Sequence, residues 1–339
     1  MNILTIQDLK YTISTIKDIN IIYTDGHTLL TRFTEYGDID CIRLLLENNA
    51  DPNIPNEDGD YPIHISFMAY NNLEIFQLLV DSGARTDVST RCGRTILFTA
   101  CNNKDMFNLA LNYNNDIKAS DYLGNTLLHC SVQNPEVLNL VLNLYSDINV
   151  LNNNKYTPLH SSICCDNESA KILLEAGADR NIQDNNGNTP LHSAVSYGTD
   201  ETALLLLNLP NVDINTQNRD GETPLHLAIR KSWNLWNLWD SENSMKEIVI
   251  KLLDMGAKQD VVNIEGDTLR DLVIESGNTE IMSIFDNYPC VVSLRTLCLR
   301  SIRNGNIDTR EFPPLLFLQP DESKENKEYL ERLQKFTNN

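Results

Sequence analysis

The sequence predicts an all-α fold of about eight stacked two-helix repeats, and three observations carry this prediction. First, a Thr-Pro-Leu-His tetrad begins at Thr157, Thr189 and Thr223, at steps of 32 and 34 residues. Second, a glycine lies two residues before the Thr position in seven of the eight copies. Third, a leucine-rich segment follows the tetrad and ends at a Gly-Ala pair in several copies. A fixed period of this size is typical of proteins whose units pack only against their neighbours.

Degraded copies of the tetrad extend the repeat in both directions. They begin at Thr28, Tyr61, Thr95, Thr126 and, downstream, Thr268. The matching glycines are Gly26, Gly59, Gly93, Gly124, Gly187, Gly221 and Gly266, and Lys155 takes this place in the remaining copy. Because glycine adopts positive φ at little cost, the pattern predicts a tight turn before each first helix.

The second helix of each repeat is predicted from the leucine-rich segments. Gly83, Gly177 and Gly256 follow such segments and are suited to the left-handed residue that ends a helix. An Asp-x-Asn triplet then opens the next turn, at Asp51, Asp147, Asp179 and Asp213.

This period, tetrad and glycine frame resemble the ankyrin repeat, a turn followed by two antiparallel helices. The resemblance implies an ankyrin solenoid over residues 27–286, preceded by an N-terminal capping helix and turn at residues 1–26. In ankyrin repeats the tetrad His and the Thr hydroxyl tie the turn to the first helix. Five of the six histidines take that place, and His27 lies just before its Thr. Few imidazoles are left for a general base or a metal cluster, so the sequence favours a binding protein over an enzyme.

Composition and motifs exclude several other classes. The 339 residues carry 27 basic and 47 acidic side chains, a net charge of −20, and no basic patch, so nucleic acid is not an expected partner. No apolar run reaches a membrane span, and no signal-peptide pattern begins the chain, so the expected location is the cytoplasm and also the nucleus. Eight cysteines without a CxxC pair favour reduced thiols over a zinc site. Phosphate-loop motifs are missing, so no cofactor, metal or catalytic residue is predicted.

One repeat carries an insertion that contains every tryptophan of the chain. The step from Thr223 to Thr268 is 45 residues, against 31 to 34 elsewhere. The excess lies at residues 231–243 and places Trp233, Trp236 and Trp239 at i, i+3 and i+6. Two interpretations stay open: a partner-binding stripe, or aromatic residues that fold back onto the repeats or the C-terminal segment.

The segment after the last repeat predicts a short amphipathic helix over residues 290–304. Its apolar stripe is formed by Leu294, Leu297, Cys298, Ser301 and Ile302, and three arginines lie off the stripe. Ser293-Leu294-x3-Cys298-x3-Ile302 resembles the Elongin-binding helix of the SOCS box, which closes the ankyrin-repeat and SOCS-box proteins. The resemblance implies contacts to Elongin C from Leu294, Leu297, Cys298 and Ile302. It also implies the role of a substrate receptor in an Elongin B/C–cullin-RING ubiquitin ligase.

The second half of this box fits the family less closely. Where the family has a Leu-Pro-aliphatic-Pro stretch that selects the cullin, this chain has Phe312, Pro313, Pro314 and Leu315. These four residues are the candidate cullin contacts, and the choice of cullin stays open. The box spans residues 287–318, and a charged tail follows at residues 319–339.

Two alternatives use the same segment differently. Residues 290–304 are also compatible with a helix that only caps the repeats, which would leave a non-enzymatic scaffold or inhibitor. The second alternative is an F-box-like tail that binds a Skp-type adaptor. Such tails usually open with Leu-Pro-x-Glu, which Phe312-Pro313-Pro314 matches only weakly. The target protein and the oligomeric state are not encoded in a readable pattern, because repeat proteins bind through variable surface residues.

Overall fold

A computed structural model describes residues 6–69, 73–113, 116–165, 167–233 and 242–288. Within these ranges the regular elements are helices, and the β-type pairing is one isolated antiparallel bridge between Val262 and Thr268. The predicted all-α class is therefore confirmed. The chain divides into two compact units, Met1–Asn185 and Asn186–Asn339.

The first unit contains a single helix followed by helix pairs. Within a pair the two helices contact each other, first helices pack on neighbouring first helices, and second helices pack on second helices. In the third pair, the first helix is short and continues as a 3₁₀ turn at Ala100–Asn102. The helices are α1 (Ile6–Thr15), α2 (Leu29–Tyr36), α3 (Ile39–Glu47), α4 (Pro62–Ala69), α5 (Leu73–Asp81), α6 (Ile96–Thr99), α7 (Lys104–Tyr113), α8 (Leu127–Ser131), α9 (Pro135–Leu142), α10 (Pro158–Ser162) and α11 (Asn167–Glu175).

The second unit repeats the same arrangement. Its first helices α12, α14 and α16 pack in sequence, and each contacts its own second helix. The helices are α12 (Pro190–Tyr197), α13 (Asp200–Leu207), α14 (Pro224–Trp233), α15 (Glu242–Asp254), α16 (Leu269–Ser276) and α17 (Thr279–Asp286).

Tight turns precede the helix pairs, and their glycines are required for two reasons. Gly59 has φ +82, a left-handed conformation, and a Cβ there would lie 2.8 Å from the Cβ of Arg91 in the next turn. Gly187 has φ +78, and its Cβ would lie 2.9 Å from the backbone nitrogen of Arg219. Consecutive turns therefore approach too closely for a side chain at these positions. Lys155, which replaces the glycine in one repeat, keeps the positive φ at 57°.

The tetrads begin the first helices by a reciprocal cap. The backbone N–H of Thr189 donates to Nδ1 of His192 over 3.1 Å, and the backbone N–H of His192 donates to the Thr189 hydroxyl over 3.5 Å. The same Thr–His box forms at Thr126 and Thr157, so the expected tie between Thr and His is confirmed there. The box satisfies backbone donors that would otherwise lack an intrahelical partner.

Four tetrads differ from this arrangement, and in two of them Thr31 or Phe98 takes the place of the histidine. Tyr61 replaces Thr before His64, so that copy has no Thr hydroxyl for the imidazole to engage. In the last repeat Asp271 takes the histidine's place, and its carboxylate accepts from the backbone N–H of Thr268 over 2.9 Å. An aspartate at this position supplies the same acceptor as the imidazole Nδ1, so the helix start survives the replacement.

The second helices bury a recurring trio of residues. In α5 these are Ile75, Phe76 and Leu79, each at most 1% exposed. The spacing places the three side chains on one face, as expected for a helix that packs on one side only. Fully burying a side chain of this kind contributes roughly 1.5–3 kcal/mol, so the stacked second helices account for much of the core.

The N-terminal helix α1 packs like the second helix of a repeat. It covers Ile6–Thr15 within the predicted capping helix and turn of residues 1–26, contacts α3, and buries Leu9 completely. The Asn20 side-chain oxygen accepts from the backbone N–H of Asp51 over 2.8 Å, as Asn53 accepts from Arg85 one repeat later. The four predicted domain boundaries themselves remain predictions.

Candidate protein-binding surface

Seven of the eight turns carry an Asn, Asp or Thr side chain three residues before the glycine position. Oδ1 of Asn152 accepts from the backbone N–H groups of Asn154 and Tyr156, both over 2.9 Å. This position is occupied by Asn56, Thr90, Asp121, Asn152, Asp184, Asn218 and Asn263. Most of these side chains are buried, so the turn backbone is fixed from inside. The sequence analysis missed this residue, although Asn, Asp or Thr at a constant distance from the glycine is a readable signal.

Neighbouring turns are joined by backbone hydrogen bonds. The N–H of Tyr122 donates to the carbonyl of Cys92 over 2.9 Å, and the N–H of Asn153 donates to the carbonyl of Leu123 over 3.0 Å. The side-chain amide of Asn153 also donates to the carbonyl of Tyr122 over 3.0 Å. These bonds fix the positions of these turn tips relative to one another.

The turn tips present an exposed surface that we call the tip row. It consists of Arg91, Cys92, Tyr122, Leu123, Asn153 and Asn154, which are all exposed. Tyr122 is 73% exposed and Leu123 is 59% exposed, although their backbone is held by the bonds to adjacent turns. Large apolar groups on a preorganised backbone bind partners at a small entropic cost.

A buried carboxylate lies beneath the tip row. Asp121 is 5% exposed, and its Oδ1 accepts from the backbone N–H groups of Leu123 and Asn125 over 2.9 and 2.8 Å. The guanidinium Nε of Arg94 lies 3.7 Å from Oδ2 of the same residue. The charge of Asp121 is therefore engaged in holding the tips, and Arg94 offers its remaining donors at the edge of the row.

The second unit has its own exposed apolar residues at equivalent places. Ile264 lies at a turn tip and is 71% exposed, and its backbone N–H donates to the carbonyl of Asp220 over 2.9 Å. Tyr197 ends α12 and is 78% exposed. Exposed apolar residues at turn tips and at first-helix ends thus occur in both units.

A comparison with models of known protein families shows which family this chain belongs to. A model described as ankyrin repeats in three copies matches residues 5–89, 65–152, 134–218 and 179–238, which together cover more than half of the chain. The chain is an ankyrin-repeat protein. Among curated proteins, no sequence matches it significantly. Ankyrin repeats are typically non-catalytic scaffolds that bind other proteins, and this is the class of function that the match supports.

The tetrad histidines of this ankyrin-repeat protein are structural. His192 and His226 are fully buried, and Nδ1 of each accepts from the backbone of its own cap. Burial lowers the pKa of His226 to about 4, and it lowers that of His64 to about 4 as well. Nε2 of His129 faces the carbonyl of Tyr156 at 2.9 Å, which links one repeat to the next. Within the described ranges, no group of three His, Cys, Asp or Glu side chains could hold a metal ion.

The cysteines divide by burial. Burial raises the pKa of Cys41 and of Cys130 to about 12, and the pKa of Cys101 is also raised by burial. Cys92 and Cys164 are exposed. The six cysteines of the described part of the chain are free thiols, and Cys130 and Cys165 are half-buried.

The residues predicted for partner binding lie largely beyond the described ranges. Trp233 ends α14, and only its backbone position is described, whereas Trp236 and Trp239 lie outside. The candidate Elongin and cullin contacts are also outside the described residues: Leu294, Leu297, Cys298, Ile302, Phe312, Pro313, Pro314 and Leu315. These assignments stay predictions.

Helix α14 is anchored on both sides just before the tryptophan insertion. The guanidinium of Arg230 lies 2.7 Å from Oε1 of Glu222, which is 5% exposed. Nζ of Lys231 lies 3.9 Å from a carboxylate oxygen of Asp200. The insertion thus begins from a fixed helix end. No helix in the described part of the chain is long and apolar enough to cross a membrane.

Proposed function

We propose that this ankyrin-repeat protein is the substrate-recognition subunit of an Elongin B/C–cullin-RING ubiquitin ligase. The repeats would bind a target protein, and residues 287–318 would bind Elongin C and a cullin. Catalysis would belong to the partner subunits, so the chain itself would contribute proximity between target and ligase. Such a receptor works in the cytoplasm or the nucleus.

The tip row is the observation that carries the target-binding half of this proposal. Tyr122 and Leu123 expose large apolar groups from a backbone that three interturn hydrogen bonds hold. Aromatic residues of this kind are enriched among the residues that dominate binding energy at protein interfaces. We assign the first contacts with the target to this row, with Arg91 at its edge.

The ligase half of the proposal is supported by sequence and position. Ser293-Leu294-x3-Cys298-x3-Ile302 begins five residues after Tyr288, where the last helix pair ends. A small cysteine in the middle of an apolar stripe lets a helix sit deeply in a groove of its partner. Phe312 and the two prolines that follow it would contact the cullin.

Co-expression of the full chain with Elongin B and Elongin C, followed by size-exclusion chromatography, tests the proposal. We expect a stoichiometric complex of the three chains. Separate elution of a well-folded chain would contradict the ligase assignment and favour a scaffold or an inhibitor. Capture of a Skp-type adaptor in place of Elongin would favour the F-box alternative.

A further inference from the structure

The last repeat exposes apolar residues at two positions that every earlier repeat buries. Ile274 is the seventh residue counted from the Thr that starts its first helix, and it is 59% exposed. The equivalent residues are at most 2% exposed: Thr34, Phe67, Cys101, Val132, Ile163, Val195 and Ile229.

The second helix of the last repeat shows the same difference. Met282 lies four residues after the N-cap Asn278, and it is 37% exposed. The equivalent residues are all 0% exposed: Ile42, Phe76, Phe107, Leu138, Ala170, Ala203 and Val249. Within each unit, neighbouring first helices contact each other, as neighbouring second helices do, so a following repeat of the same unit covers these positions. We call the surface around Ile274 and Met282 the end face.

We propose that the end face is covered by residues 290–304 of the same chain, through Val292 and Leu299. If these residues form the helix that their sequence predicts, each residue advances the helix by about 100°. Val292 and Leu299 then share one side, about 140–160° from Leu294. The stripe that contains Leu294 and Cys298 would stay free for a partner.

The exit point of the chain supports this occupant. The hydroxyl of Tyr288 donates to Asp254 over 2.5 Å, and the Gln259 amide donates to the carbonyl of Tyr288 over 3.1 Å. The chain is therefore held beside α15 and α17 one residue before Pro289. A segment that starts there reaches the end face without a long connection.

Charge complementarity supports it as well. Helices α16 and α17 carry four carboxylates: Asp271, Glu275, Glu280 and Asp286. Arg270 pairs with Asp286 and Lys246 of α15 pairs with Glu280, so four negative charges face two positive ones and the last repeat keeps a net negative charge. Residues 290–304 carry Arg295, Arg300 and Arg303 and no acidic residue. Of these, Arg295 and Arg303 flank Leu299 on the predicted helix. A last repeat with a net negative charge and an exposed apolar face is complementary to a basic, partly apolar segment.

Hydrogen exchange on the full-length chain tests the inference. Val292→Asp with Leu299→Asp should speed exchange of the α16 and α17 amides about tenfold, because the end face loses its cover. The matched control, Leu294→Asp with Leu297→Asp, changes two leucines on the other side and should leave this exchange unchanged. Exchange in α12 should be the same in all three proteins, which excludes general unfolding.

Ile274→Glu gives a second readout that does not alter the segment. It should also speed exchange in α16 and α17, and it should add little when combined with Val292→Asp and Leu299→Asp, because the contact is already lost. An Ile274→Glu protein that exchanges like the wild type would overturn the inference.

Three further outcomes would also overturn the inference: unchanged exchange in the Val292/Leu299 variant, faster exchange only in the control, or wild-type protection that rises with protein concentration. The last result would identify a second copy as the cover. The inference goes beyond the proposed function and is separable from it. Failure of the wild type to bind Elongin B/C, with the end face still protected, would contradict only the proposed function.

Discussion

Glycines before the first helices and glycines after the second helices meet two different requirements. Gly59 and Gly83 have similar positive φ values, +82° and +90°. A Cβ at Gly59 would lie 2.8 Å from the Cβ of Arg91, whereas a Cβ at Gly83 would meet nothing within 4 Å. The first position therefore needs both the conformation and the space, and the second needs the conformation alone.

Replacement of each glycine by alanine measures the two effects. Gly83→Ala should lower the free energy of unfolding by about 1–2 kcal/mol, the cost of a left-handed non-glycine residue. Gly59→Ala should cost about 1–3 kcal/mol more, because the adjacent turn must move. Urea denaturation of the two variants checks this. Equal losses would mean that the close approach of the turns contributes nothing.

The buried histidines make stability depend on pH. The native pKa values of His64 and His226, about 4, lie below the ordinary value of 6.5, so the unfolded chain binds protons that the native chain does not. Stability should therefore fall as pH drops from about 6.5 towards 4. Each histidine contributes about 2 kcal/mol to the loss by pH 5.

Urea denaturation at pH 7 and pH 5 measures this loss. In His64→Gln, the loss of unfolding free energy between pH 7 and pH 5 should be smaller by about 2 kcal/mol, the contribution of one histidine. Equal pH dependence in the variant and the wild type would show that His64 binds protons as readily in the native protein as in the unfolded chain.

The helix starts are the best-specified elements of this fold. The Thr189 hydroxyl accepts from the His192 backbone N–H, and Nδ1 of His192 accepts from the Thr189 backbone N–H. All four partners lie within four consecutive residues. The cap could therefore be predicted from the tetrad, since it depends on local sequence alone.

Two replacements at Thr189 isolate the contribution of this cap. Thr189→Val keeps the volume and removes the hydroxyl, and it should lower the free energy of unfolding by about 1–2 kcal/mol. Thr189→Ser keeps the hydroxyl and should cost less. Thermal unfolding followed by circular dichroism compares them. A larger loss for Ser than for Val would indicate that packing of the methyl group, and not the cap, stabilises the helix start.

Other elements were less accessible from sequence. The extent of α1, Ile6–Thr15, depends on contacts with the following repeat. The exposure of Tyr122 and Leu123 likewise depends on how adjacent turns pack. A period locates repeats, but it does not say which of two apolar neighbours faces solvent.

At the scale of the whole molecule, the chain joins repeats that bind a protein to a C-terminal segment of a different kind. The repeat family follows from a pattern that recurs throughout residues 27–286 and could be predicted with its turns and caps. The segment after Tyr288 occurs once, so no internal repetition supports its assignment. The role of this segment must therefore be established by a binding experiment.

Titration calorimetry of the purified full chain with the Elongin B/C heterodimer is the most direct test of the proposed function. The account predicts one-to-one binding by the wild type. Leu294→Ala with Cys298→Phe should weaken binding about 100-fold or more, by loss of an anchor and by a clash within the stripe, without changing the circular dichroism spectrum. A folded wild-type chain that gives no binding heat and no complex, or equal affinity of wild type and variant, would contradict it.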